Sequence, residues 1–305
     1  MRVVFLGTPS FAVPTLEALA AAGHDVVCVV TQPDRPRGRG QQITPSPVKA
    51  AALRLGLPVY QPERVRRPEA LQYLAALAPD AMVVVGYGQI IPQSAIDIPP
   101  HGIINVHGSL LPKYRGAGPV QWAIANGETR TGVTTMRIDA GLDTGDMLLR
   151  AETEIGPEEN AVELGARLAG MGAALLIETL ANIASIAPQE QDPGLATYAP
   201  LLKKDDGLID WRQPAQAIHN RVRGFQPWPG AYTRFRGRQL HIWKSRVAMT
   251  EAGEPGRLLP TPLRAACGEG ALDLIEVQLE GRKRIAAEAF ANGQLITGSD
   301  ILGEL

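Results

Sequence analysis

Asn105 and His107 stand two residues apart in the run Asn105-Val106-His107-Gly108-Ser109-Leu110-Leu111-Pro112-Lys113-Tyr114-Arg115-Gly116. On a strand, side chains at that spacing share one face. An amide there can donate to an oxyanion, and an imidazole can exchange a proton near neutral pH. A second run, Asp139-Ala140-Gly141-Leu142-Asp143-Thr144-Gly145-Asp146, packs three carboxylates and two glycines into eight residues. Glycines allow close backbone approach to a ligand, and a carboxylate beside an imidazole sets its tautomer and raises its basicity. A calcium loop would close with a bidentate Glu, but this run continues into Met147-Leu148. A satisfied core histidine and a solvated acidic turn are the plain alternatives for each run alone.

The pattern around them predicts a doubly wound α/β domain. Residues 2–6 read as a buried strand, 7–10 as a turn, 11–22 as a helix ended by Gly23, and 24–31 as the next strand. The turn Gly7-Thr8-Pro9 lacks the G-x-G-x-x-G spacing, so no dinucleotide site is expected. Further strands are predicted at 57–60, 81–85, 102–107, 132–138 and 147–154, with helices at 117–125 and 158–183. The strand 81–85 runs into Gly86-Tyr87-Gly88, and open α/β sheets bind ligands at such carboxyl ends. Residues 32–42 are rich in Pro, Gly and Arg and read as an irregular loop, with Arg35, Arg37 and Arg39 suited to an anion. A solvated loop is the alternative.

Pro188, Pro193, Gly194 and Pro200 mark 185–205 as a linker. Beyond it, a helix at 214–223 precedes short β runs at 231–235, 240–247, 256–259 and 272–277, the texture of a small β-barrel. The 305-residue chain is long enough for two domains. Its formal net charge is −1, unevenly spread. Residues 1–202 hold 15 Lys/Arg against 19 Asp/Glu, a net of −4, whereas 203–246 hold 10 against 3, a net of +7. Such a basic block suits a polyanion, a solvated basic face being the alternative. Cys28 and Cys267 are far apart and fit no metal spacing, as in a reducing compartment. The N-terminus has no signal-peptide pattern, and apolar runs of about 5 to 8 residues predict no membrane span.

The runs from Asn105 to Gly116 and from Gly141 to Asp146 resemble the signature of the folate-dependent formyltransferases. The resemblance implies a Rossmann-like formyltransferase domain over 1–184, the linker 185–205, and an OB-like β-barrel over 206–305. It implies that Asn105, His107 and Asp143 surround a formyl group, as oxyanion donor, proton relay and orienting carboxylate. It puts the folate along Gly86, Tyr87, Gly88, Gln89, Ile90, Ser109, Leu110, Leu111 and Pro112, with Asp139 and Gly141 beside it. The implied co-substrate is 10-formyltetrahydrofolate, without a metal.

Four further runs resemble the branch that acts on methionyl-tRNA: Thr31 to Pro36, Gly38-Arg39-Gly40, Pro45 to Lys49, and Phe225 to Ala231. The implied partner is initiator methionyl-tRNA, gripped by Arg35, Arg37, Arg39, Lys203, Lys204, Arg221, Arg223, Arg234, Arg236 and Arg238. A cytoplasmic monomer that binds no membrane is expected. Gln41-Gln42 depart from the lysines that many members carry there, which predicts a weaker hold on tRNA by this loop. A nucleotide-sugar or a glycinamide ribonucleotide would call for nearly the same N-terminal chemistry. The arginine loop and the basic second domain favour tRNA over them. A non-catalytic tRNA-binding module is the reading from another class, and intact Asn105, His107 and Asp143 argue against it.

Overall fold

Val3, Val4, Phe5 and Leu6 are apolar without alternation and almost fully buried, as in a strand covered on both faces. They form most of β1 (Arg2–Gly7), an interior strand of a seven-stranded sheet. The computed structural model describes residues 1–37, 42–248 and 253–303, with backbone alone at Arg37 and Gln42. Two compact units emerge. One comprises Met1–Pro119, Thr131–Glu154 and Gly165–Ala199, and the other Val120–Arg130, Ile155–Leu164 and Pro200–Leu305.

After β1 come α1 (Val13–Ala21), β2 (Asp25–Val30), β3 (Arg35–Arg37), β4 (Gln42–Thr44), α2 (Pro47–Arg54), β5 (Val59–Tyr60), α3 (Pro68–Ala76), β6 (Ala81–Val85) and α4 (Gln93–Ile96). Then follow β7 (Ile103–His107), β8 (Arg115–Gly116), α5 (Pro119–Ala125), β9 (Arg130–Arg137), β10 (Met147–Glu154), α6 (Ala161–Ala181) and β11 (Tyr198–Ala199). The sheet order is β10-β9-β7-β6-β1-β2-β5. The neighbours from β7 to β5 are parallel, and β9 joins β7 antiparallel. Side chains alternate across it. Val3, Phe5, Val83, Val85, Ile104 and Val106 enter one core, and Val4, Leu6, Met82, Val84 and Ile103 the other. The chain leaves β1 toward β2 on one side and later returns to β6 on the other. That reversal opens a crevice beyond the carboxyl ends of β1 and β6.

Residues 32–42, expected to be irregular, instead contain half of a hairpin, with Arg35 opposite Thr44 and Arg37 opposite Gln42. Proline removes an N–H donor but is tolerated in a short two-stranded ribbon, where one edge needs no partner. The short apolar runs expected throughout also need correction. Helix α6 is long and apolar enough to cross a membrane, because Ala, Gly and Leu dominate its 21 residues. Half of its most apolar stretch is buried inside the protein, as in a core helix.

The second unit holds α7 (Ala215–Gly224), β12 (Ala231–Phe235), β13 (Arg238–Ala248), β14 (Leu258–Pro260), β15 (Leu263–Ala266), β16 (Ala271–Leu279), β17 (Ile285–Ala286) and α8 (Ala287–Gln294). Its antiparallel sheet runs β12-β13-β16-β15-β14, with β17 on β16. Residues 300–303 join the two edges. Leu302 N–H donates to Gly256 O, Leu258 N–H to Asp300 O, and Gly303 N–H to Arg234 O of β12. The sheet thereby closes into a small barrel around Trp211, Phe235, Ile242, Leu258 and Phe290.

Candidate active site

Strand β7 delivers Asn105 and His107 to one face, opposite Met136 and Thr134 of β9. Both are buried, at 7% and 5% exposure. His107 Nε2 lies 2.9 Å from the carbonyl oxygen of Tyr114. A carbonyl only accepts, so Nε2 carries the hydrogen. Nδ1 is left to take or give a proton, and it faces Asp143 Oδ2 at 3.6 Å. The same carboxylate oxygen accepts from Gly116 N–H at 2.9 Å. The orienting hydrogen bond therefore comes from the Tyr114 backbone, with Asp143 slightly beyond hydrogen-bond reach. Tyr114 (φ 60°) and Asp143 (φ 53°) both occupy the left-handed region, which costs a non-glycine residue about 1–3 kcal/mol.

Several bonds hold these loops. Thr134 Oγ donates to Ser109 O and accepts from Leu111 N–H, and Ser109 Oγ donates to Lys113 O. Thr197 Oγ accepts from Tyr114 N–H, and the Thr197 carbonyl from Arg115 N–H. β8 pairs with β11 beside Gly116, whose φ is +117°. A Cβ on Gly116 would sit 2.6 Å from Ala199 O, so glycine is required. The Asp139 carboxylate accepts from Gly141 N–H and Thr144 Oγ, bracing the second loop. Gln191 joins the two loops through Arg115, Asp143 and Gly145. Residues 189–199, part of the segment read as linker, thus supply Gln191 and Thr197. Neither belongs to a motif, so no sequence signal singled them out.

The crevice at the carboxyl ends of β1, β2 and β6 is also knitted together. Thr8 Oγ and Gln32 Nε2 donate to Tyr87 O, and Gln89 Nε2 donates to Gln32 Oε1. Gly86 (φ 57°) and Gly88 (φ 81°) turn the chain there. Ile90 is 89% exposed and Leu142 61%, an unusual exposure for large apolar side chains. Two side chains expected along the folate are interior instead. Leu111 packs with Met136 and Met147, and Tyr87 lies in the sheet core, where burial raises its phenol pKa. Gln89 Oε1 accepts from Val65 N–H, a structural bond.

The expected cations divide by environment. Arg35, Lys203, Lys204, Arg234, Arg236 and Arg238 are exposed, although Arg236 is paired with Asp300. Arg221 is half-buried over the Phe225 ring. Arg223 was expected to face tRNA but is buried, its guanidinium donating to Gly156 O, Glu159 O and Asn220 Oδ1. It is an internal brace, since those carbonyls take the hydrogens a phosphate would need. The side chain of Arg37 and all of Arg39 lie outside the described residues. Among the described residues no cluster of His, Cys, Asp or Glu is disposed to hold a metal ion. Cys28 and Cys267 are free and buried.

Two family descriptions match the chain: "Formyl transferase" over residues 1–180 and "Formyl transferase, C-terminal domain" over 201–295. A methionyl-tRNA formyltransferase of Solibacter usitatus (strain Ellin6076) is 70% identical over 308 residues, spanning 100% of this chain and 99% of its own. Among solved structures, the sugar 3N-formyl transferase WlaRD superposes with a TM-score of 0.67 at 19% identity, over 93% of this chain and 99% of its own. HypX from Aquifex aeolicus, in complex with tetrahydrofolic acid, gives 0.66 at 17% identity, over 97% of this chain and 47% of its own. These two likenesses speak to the fold alone. With its core, its strand-end site and both family matches in register along one sequence, the chain belongs to the formyl transferase family.

Proposed function

We infer that the chain moves the formyl group of 10-formyltetrahydrofolate onto the α-amino group of methionine carried by initiator tRNA. The product is N-formylmethionyl-tRNA, used to start translation. The reading is carried by full-length identity of 70% to a relative of that name. The cluster of Asn105, His107 and Asp143 supplies the chemistry.

The transfer breaks the bond from the formyl carbon to N10 and forms one to the methionine nitrogen. A free α-amino group has a pKa of about 8, and an ester neighbour lowers it, so a useful fraction attacks as the neutral amine. Negative charge develops on the formyl oxygen, and the Asn105 amide donates to it. The methionine nitrogen loses a proton and N10 gains one. His107 relays through Nδ1, because the Tyr114 carbonyl holds Nε2. Asp143 stabilises the charge that His107 gains in passing, and holds the water that serves N10.

The donor lies along Gly86, Gly88, Gln89, Ile90, Ser109, Leu110 and Pro112, bordered by Asp139 and Gly141. Ile90 and Leu142 are the apolar surface that its flat rings would cover. In this reading 1–184 is the catalytic domain and 206–305 grips tRNA, with 185–205 between them. The grip comes from Arg35, Arg37 and Arg39, with Lys203, Lys204, Arg221, Arg234, Arg236 and Arg238. An enzyme with this substrate works in the cytoplasm. A monomer suffices, since one chain provides Asn105, His107 and Asp143.

The test is incubation with labelled 10-formyltetrahydrofolate and three acceptors: charged initiator tRNA, an amino-sugar nucleotide and glycinamide ribonucleotide. Label should reach only methionine on tRNA. The KM for tRNA should rise steeply with salt while that for the donor stays nearly level, because phosphate contacts release counterions. Label on a small acceptor, or equal salt effects on both substrates, would refute the reading.

A further inference from the structure

His107 ends β7, where the loop 108–116 begins, and Asp143 stands on a second loop, 139–146. One buried side chain bridges them. Gln191 is 4% exposed and meets partners at both ends of its amide. Its Nε2 donates to Asp143 O at 2.9 Å and Gly145 O at 2.7 Å. Its Oε1 accepts from Arg115 Nε at 3.0 Å and Nη2 at 2.8 Å. Two donors and two acceptor positions are all that a glutamine amide has.

Both ends attach beside the reacting pair. Arg115 is 5% exposed and follows Tyr114, whose carbonyl holds His107 Nε2. Asp143 is itself in the left-handed region, so its placement needs support from outside its own loop. The Gly116 N–H fixes the Asp143 carboxylate, and Gln191 fixes the Asp143 backbone. Together they set the 3.6 Å approach of Oδ2 to His107 Nδ1. A glutamate at 191 would have no hydrogen to offer the two carbonyls. An asparagine would be one methylene short.

We propose that Gln191, with Arg115, is a positioning residue for formyl transfer, holding Asp143 in register with His107. The proposal rests on His107 and Asp143 being the pair that handles the protons.

The experiment measures kcat and both KM values for Gln191→Met, Asp143→Asn and the double variant, with Tm for each. Met keeps the length and removes every hydrogen bond. If Gln191 acts through Asp143, Gln191→Met lowers kcat roughly 10- to 100-fold, with the donor KM within about 2-fold. In the Asp143→Asn background the same change costs little more, since coupled sites are not additive. Equal losses in both backgrounds would mean a merely structural role and overturn the proposal. So would a Gln191→Met variant at full rate. Should Gln191→Met not fold, Gln191→Glu takes its place in the same cycle, because a carboxylate keeps the Arg115 contact while losing both donors. A fully active Asp143→Asn would instead overturn the catalytic assignment itself, and the proposal with it.

Discussion

His107 has one ring nitrogen committed to a backbone carbonyl and one turned toward a carboxylate. In the proposed mechanism that division sets the direction of proton traffic, because a fixed tautomer leaves one atom to exchange. A second histidine has a different burden. His219 is 3% exposed, with Nδ1 3.0 Å from Ser245 Oγ. Burial lowers its pKa from the ordinary 6.5, Arg223 lowers it further, and Glu158, 3.9 Å from Nε2, pulls the other way. It therefore holds a proton less readily in the fold than in the unfolded chain, which takes one up below about pH 6.5. The unfolded chain then binds more protons, so stability falls as pH drops from 6.5 toward the folded pKa and levels off below it. His219→Gln should narrow the Tm difference between pH 7.5 and pH 5.5. An unchanged difference would show that His219 does not set the acid sensitivity.

Whole elements owe their placement to contacts that sequence patterns do not carry. β8 and β11 are two residues each, and their pairing holds the turn that presents Gly116 N–H to Asp143. Gly116→Ala should strain that turn by about 1–3 kcal/mol and lower kcat together with Tm. A variant with normal Tm and kcat would show that the turn can shift without cost. β1 and β6 were legible because they are continuous apolar runs that end at or just before a glycine. Asn105 and His107 were legible for a different reason, since period-two spacing on β7 places both on one face. The hairpin of Arg35–Arg37 with Gln42–Thr44 was not, because proline and arginine give no alternation. Thr197 and Gln191 were hidden in a proline-marked stretch whose order comes from tertiary hydrogen bonds. Arg223 was misplaced because charge counting cannot tell a solvated guanidinium from one that braces backbone carbonyls.

At the scale of the whole molecule, a net charge of −1 conceals a block of +7 over 203–246. A chain built this way keeps its average surface neutral and offers a polyanion one basic stretch. With Arg223 internal, the remaining exposed cations there carry the proposed grip on tRNA. In the proposed reading, formyl transfer depends on Asn105 and His107 of β7 and on Asp143 of the loop 139–146. The most direct test is a single-turnover measurement, with enzyme and donor in excess over charged initiator tRNA, alongside donor binding at equilibrium. Asn105→Ala, His107→Ala and Asp143→Asn should each slow formyl transfer roughly 100-fold or more, with donor affinity changed by only a few-fold. A folded His107→Ala enzyme that transfers formyl at the wild-type rate would contradict the account.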